Sequence, residues 1–152
     1  MSKMKIAVAC DHGGLNLKNK IKDYLQSSGY EIIDFGTDST KSCDYPDFAL
    51  PAAEAVASGE CERGIIVCTT GIGVSMVANK VPGVRCALCQ DTFCAELTRR
   101  HNDANVLAMG EKAVDGSVAV EIVDIFLKTE FEGGRHQRRV DKITAVEKKY
   151  GK

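Results

Sequence analysis

Five short apolar, β-branched runs alternate along this chain with segments of helical periodicity, and that alternation restricts the fold more than any other feature. The runs cover 5–10, 31–35, 64–67, 84–89 and 106–109, each short enough for a strand and bounded by polar or glycine-rich residues. After the first, Leu17, Ile21, Tyr24 and Leu25 recur at helical spacing up to Gly29. A second helix is predicted over 47–58, capped by Asp47 or a neighbour and closed by Gly59. Others are predicted from Val74 to Asn79, over 91–102 and over 116–128, the last with Ala119, Ile122, Val123, Phe126 and Leu127 on one stripe. A basic helix follows Gly134 and carries Val140, Ile143 and Tyr150 on one side. Apolar strands separated by helices predict a parallel sheet covered on both faces. The expected fold class is therefore α/β: a three-layer αβα, Rossmann-like fold with a five-stranded parallel sheet. With no repeat, low-complexity tract or linker, residues 1–152 are read as one domain.

In such a sheet, ligands bind beyond the carboxyl ends of the strands. The third run ends in Cys68 and passes at once into Thr69-Thr70-Gly71-Ile72-Gly73-Val74-Ser75, whose amides open a helix and are suited to hold an anion. A dinucleotide fingerprint would need a third glycine where Met76 stands. A P-loop would end in Gly-Lys-Ser/Thr, and a cysteine phosphatase would need Arg at position 74, which is Val74. What remains is a thiol acting as base or nucleophile beside a backbone oxyanion hole, or a small buried hydrophobe closing a strand. Both readings fit Cys68 at this point.

The same rim collects Asp11-His12-Gly13-Gly14 after the first strand and the long polar loop 36–46 after the second. Asp11 and His12 are suited to proton handling, or to capping a helix with a solvated imidazole beside it. Arg99-Arg100-His101-Asn102 ends a helix, where cations are favourable in any case. Arg135 and Arg139 stand four apart at a helix start and share a face, able to clamp one phosphate or to form a solvated basic surface.

Composition narrows the function classes. Twenty basic residues nearly balance 21 acidic ones, so neither nucleic acid nor a membrane surface is an expected partner. The first ten residues read as a strand and not as a signal peptide, and no run is long enough to cross a bilayer. Seven cysteines without a secretion signal point to a reducing, cytoplasmic location. Cys86 and Cys89 form a CxxC inside a predicted strand, where residues three apart face opposite sides, so a core strand is favoured over a metal or redox site.

Read together, the motifs resemble the type B ribose-5-phosphate isomerases, a family that includes the galactose-6-phosphate isomerase subunits. The resemblance runs from Lys5 to about Lys148. It rests on Cys10-Asp-His-Gly13, Asp44-Tyr-Pro46, Cys68-Thr-Thr-Gly-Ile-Gly-Val-Ser75 with Ala78-Asn79-Lys80, His101-Asn-Asp-Ala-Asn105 and Glu132-Gly-Gly-Arg-His136. It implies interconversion of an aldose and a ketose phosphate through a cis-enediolate, with no metal and no organic cofactor.

By resemblance, Cys68 is the base that moves a proton between C1 and C2. Thr70 assists at the sugar oxygens, and the amides from Gly71 to Ser75 stabilise the enediolate. His101 opens the furanose ring with Asp11 facing the ring oxygens, while Asn102 and Tyr45 contact the sugar. Arg135 and Arg139, with His12 nearby, grip the phosphate. A thiol is mostly protonated at neutral pH, so this role requires the helix N-terminus and nearby cations to favour the thiolate.

The family often has Gly after the catalytic Cys, whereas this chain has Thr69, which puts sugar preference in question more than mechanism. The resemblance also implies a homodimer whose chains share each site, and leaves pairing into tetramers open. The leading expectation is a ribose-5-phosphate isomerase of the pentose phosphate pathway. Isomerisation of a six-carbon aldose phosphate (allose or galactose 6-phosphate) is the alternative. A non-catalytic sugar-phosphate-binding module and a thiol redox switch stand further off.

Overall fold

A computed structural model describes residues 4–151. Its five strands are β1 (Lys5–Cys10), β2 (Glu31–Asp34), β3 (Arg63–Cys68), β4 (Cys86–Leu88) and β5 (Val106–Gly110). They form one sheet in the order β2-β1-β3-β5-β4, every pair parallel. The helices are α1 (Leu15–Ser27), α2 (Pro46–Ala57), α3 (Ile72–Ala78), α4 (Thr92–Asn102), α5 (Gly116–Lys128) and α6 (Arg135–Tyr150), with a 3₁₀ turn at His12–Gly14. The expected α/β sheet is present.

Both faces of the sheet are buried, as continuous apolar strands require. One face carries Ile6, Val8, Ile65, Val67, Leu107 and Met109 against Leu17, Ile21 and Leu25 of α1, Ala95 of α4 and Ile122 and Phe126 of α5. The other carries Ala7, Ala9, Ile66, Cys68, Val106 and Ala108 against the alanines of α2 and Val74 and Ala78 of α3. Small side chains on this second face let α2 and α3 lie close to the strands that end at the rim. Burying Phe126 completely is worth roughly 1.5–3 kcal/mol by transfer alone.

Several boundaries differ from the sequence expectation. No side chain caps α2: Tyr45 is its N-cap residue and Pro46 its first helical position, where a missing N–H costs nothing, so Asp47 lies inside the first turn. The short α3 begins at Ile72, two residues before Val74, because Gly71 at φ +81° turns the chain directly into it. At its far end the Asn79 side chain bonds the Cys86 backbone twice, at 2.9 and 2.8 Å, tying α3 to β4. β4 is shorter than the run 84–89 and holds only Cys86; Cys89, just past its end, packs in the opposite core cluster from Cys86, in line with the strand reading of the CxxC.

The basic helix α6 forms as expected, and only part of its apolar side is covered. Val140 is buried, but Ile143 and Tyr150 of the expected stripe are exposed, together with Val146. The helix packs mainly on α4; in its outer half Glu147 Oε1 accepts from the Gly83 amide at 2.8 Å, and Ile143, Val146 and Tyr150 border an open cleft facing β4 and α4. Among the described residues, no helix is long and apolar enough to cross a membrane.

Candidate active site

The strand order reverses direction between β1 and β3, and the crevice at such a point is where open α/β sheets bind ligands. Asp11 leaves the end of β1 there and Cys68 ends β3. The backbone of the crevice is fixed by long-range bonds: Asp11 N–H donates to the Val67 carbonyl at 3.4 Å, and Glu111 N–H to the Cys68 carbonyl at 2.9 Å. A cleft of about 440 Å³ opens above them, lined by Asp11, Tyr45, Cys68, Thr69, Thr70, Ile72, Gly73 and Met76.

Cys68 is buried, and its Sγ accepts a hydrogen bond from the Gly71 amide at 3.1 Å. Such a bond is stronger to a thiolate than to a thiol. A side chain at Gly71 would meet the Met109 carbonyl carbon at 2.7 Å and Leu88 Cδ1 at 2.6 Å, so only glycine can bring this amide to the sulfur. Ile72 N–H is taken by Thr70 Oγ1 at 3.2 Å and Ser75 N–H by the Gly71 carbonyl at 3.2 Å. Within the expected nest, the amides of Gly73 and Val74 have no hydrogen-bond partner among the described residues. The Val74 side chain faces the core, so its contribution to the cleft is backbone alone; Ser75 Oγ turns back to the Ile72 carbonyl at 2.6 Å.

The tyrosine that opens α2 lies over Gly73: a Cβ there would fall 2.6 Å from Tyr45 Cε1. Asp11 serves both of its readings. Its Oδ1 accepts from Gly13 N–H at 2.9 Å, capping the 3₁₀ turn, while the residue also lines the cleft. His12 is held by the loop after β2, its Nδ1 accepting from the Cys43 amide at 3.2 Å, so a neutral ring carries its proton on Nε2. Thr69 packs with its hydroxyl against Gly13, joining the loops after β1 and β3.

Of the expected site residues, His12, Gly71, Val74 and Ser75 belong to the loops and helix start at this cleft without lining it, and four others lie on α4 and α6. His101 and Asn102 end α4, and Arg135 and Arg139 begin α6, both arginines exposed. Asn102 lines a separate apolar cleft of about 820 Å³ between β4, α4 and α6, shared with Ile143, Val146 and Tyr150. His101 stacks on His136, with ring centroids 4.1 Å apart and planes 7° from parallel. Glu132 Oε1 lies 3.4 Å from His136 Nε2 and 4.0 Å from His101 Nε2. The sequence reading quoted Glu132 and His136 only as part of a motif. Their i, i+4 spacing is legible, but their meeting with His101 depends on how α6 crosses α4.

Neighbouring groups have structural work. Arg99 is buried and donates to the Asp103 carboxylate at 2.9 Å and the Ala104 carbonyl at 2.7 Å, holding Asp103 in the left-handed conformation that ends α4. Burial pushes the Cys10, Cys86 and Cys89 thiols up to about 12, leaving them inert.

The family model described as Ribose/Galactose Isomerase matches residues 6–143. Ribose-5-phosphate isomerase B of Escherichia coli is 48% identical over 145 residues, covering 95% of this chain and 97% of that protein. The structure of Clostridium thermocellum ribose-5-phosphate isomerase B superposes with a TM-score of 0.96 at 57% identity, covering 97% of this chain and 100% of that one. A structure of the Mycoplasma genitalium enzyme with bound ribulose 5-phosphate gives a TM-score of 0.91 at 45% identity, over 95% and 96% of the two chains.

Proposed function

This chain belongs to the ribose/galactose isomerase family, and from that premise we propose that it interconverts ribose 5-phosphate and ribulose 5-phosphate in the pentose phosphate pathway of the cytoplasm. The observation that carries the proposal is the Cys68 thiol at the β1/β3 crevice, with a backbone amide on its sulfur and Asp11 and Thr70 beside it. A sugar-phosphate-binding module has no need of a thiol so placed.

In the forward direction the Cys68 thiolate removes the C2 proton of the open-chain aldose. Negative charge then develops on the C1 oxygen as the cis-enediolate forms. The same thiol returns the proton to C1, while the hydroxyl proton on O2 passes to O1 with Thr70 assisting. The amides of Gly73 and Val74 are suited to the developing charge, and one such donor contributes about 3 kcal/mol to the barrier. Asp11 and His101 act in ring opening, Tyr45 and Asn102 on the sugar hydroxyls, and His12, Arg135 and Arg139 on the phosphate. Fixed guanidinium groups on a dianion supply binding energy that holds C1 and C2 against the sulfur.

This scheme needs His101, Asn102, Arg135 and Arg139 at a cleft that their own chain does not bring them to. A homodimer in which each chain supplies them to its partner's Cys68 resolves the difficulty. The exposed Ile143, Val146 and Tyr150 of α6, with Ile72, Met76, Leu88 and Phe93 around the rim, give that dimer apolar surface to bury.

The test is ketose formation from ribose 5-phosphate in EDTA, with allose 6-phosphate and galactose 6-phosphate alongside. Conversion of ribose 5-phosphate is the expected result. Thr69, which lines the cleft where a glycine would leave it wider, favours the smaller sugar. Conversion of a six-carbon substrate alone would move the assignment to a hexose phosphate, and inactivity on all three would leave only a binding module.

A further inference from the structure

His101, Glu132 and His136 place one ligand atom each within 4.8 Å of one another. Two imidazoles and a carboxylate are a zinc-type donor set, complete but for a fourth position. Two independent features single the cluster out. His136 is 5% exposed, yet its Nε2, aimed at Glu132, has no hydrogen-bond partner. A buried imidazole nitrogen left in that condition costs free energy that a metal bond would recover. The ligands are also supported from outside: Arg100 Nη1 donates to the second Glu132 oxygen, Oε2, at 3.3 Å, and the Glu132 amide donates to the Arg100 carbonyl at 3.1 Å.

We propose that His101 Nε2, Glu132 Oε1 and His136 Nε2 form a binding site for a divalent transition metal of the zinc class. Each ring then carries its proton on Nδ1. Tetrahedral bonds of about 2 Å set ligand atoms roughly 3.3 Å apart, so the cluster must contract. His101, next to last in α4, and Glu132, in the loop before α6, are placed to move toward the buried His136. Arg100, Arg135 and Arg139 oppose a cation here, which makes the site one of moderate affinity, filled and emptied with metal supply.

A metal on His101 Nε2 occupies the group assigned above to ring opening, so Zn²⁺ inhibits the isomerase. That consequence rests on the proposed function; the metal site does not. The experiment is titration of the intact protein with Co²⁺ and Zn²⁺ in a non-chelating buffer, for wild type, Glu132→Gln and His136→Asn. One Co²⁺ per chain is expected, with ligand-field bands of a four-coordinate site, no thiolate charge-transfer band, and displacement by Zn²⁺. Both variants should bind about 100-fold more weakly. Glu132 has a partly exposed carboxylate, so Glu132→Gln reads the ligand without disturbing the packing around His136. Absence of binding, a thiolate band, or unchanged affinity in Glu132→Gln overturns the site. Tight binding without loss of isomerisation supports the site and removes His101 from the ring-opening role. Inhibition at the same Zn²⁺ concentration that saturates the site, relieved in Glu132→Gln, supports both.

Discussion

The backbone amide of Gly71 donates to Cys68 Sγ at 3.1 Å, from a residue whose φ of +81° no side chain adopts readily. The helix start and the sulfur are thereby one unit: the turn that opens α3 is also what presents a donor to the thiolate. Gly71→Ala must strain the backbone and relieve close contacts with both Leu88 and the Met109 carbonyl. We expect a folded protein with kcat lowered about 100-fold, the usual effect of losing one preorganised donor. Steady-state kinetics beside circular dichroism check this, and a kcat within a few fold of wild type would show that the amide is dispensable.

The contact between Thr69 and Gly13 makes a second, reciprocal prediction. A methyl group at Gly13 collides with Thr69 Oγ1, whereas its next neighbours, Thr69 N and Asp11 Oδ1, would lie at 3.3 and 3.4 Å. Gly13→Ala alone should lose most activity, and Gly13→Ala combined with Thr69→Gly should recover the larger part. A strictly additive double variant would mean that the two loops are not coupled through this hydroxyl.

Asp34 carries the clearest pH-dependent contribution to stability. Burial raises its carboxyl, but Lys18 at 2.7 Å, the Gly36 amide and Lys22 at 3.1 Å outweigh it and hold it below the usual carboxylate range. A depressed folded value means the stabilisation is complete above the unfolded carboxylate value near ~3.9 and is lost as pH falls through the folded one. Asp34→Asn leaves Lys18, 3% exposed, without its partner, which should cost about 3 kcal/mol at pH 7 and progressively less in acid. Denaturant midpoints across pH test this; an equal loss at every pH would assign the effect to packing.

A shared site predicts complementation. Cys68→Ala and His101→Asn proteins should each be inactive, yet after unfolding and refolding together they should regain about a quarter of wild-type activity, since half the dimers are mixed and one of the two sites in each is intact. No recovery would place both residues in one chain's site.

The sheet, its order of elements and the Cys68 rim were legible because each rests on local pattern: apolar runs for the strands, glycine after a strand for the turn, and a cysteine at the strand end. The opposite facing of Cys86 and Cys89 followed from strand geometry alone. The side-chain cap expected for α2 at Asp47 or a neighbour is absent because backbone carbonyls take the first amides, Asp44 accepting from Asp47 N–H at 3.1 Å and Tyr45 from Phe48 N–H at 3.2 Å. His101 and His136 could not be paired from the sequence, since nothing local fixes the crossing of α4 and α6. The apolar side of α6 was legible from periodicity, but what covers it was not, because periodicity reports an apolar face without reporting which chain packs on it.

The assignment of Cys68 as the base is tested most directly by Cys68→Ala, assayed for ketose formation from ribose 5-phosphate with binding of ribulose 5-phosphate followed by calorimetry. Turnover should fall by at least about 1,000-fold, because the only group moving the carbon-bound proton is gone, while the affinity for ribulose 5-phosphate stays within a few fold. Turnover near wild type would contradict the account and return Cys68 to being a buried residue at the end of a strand.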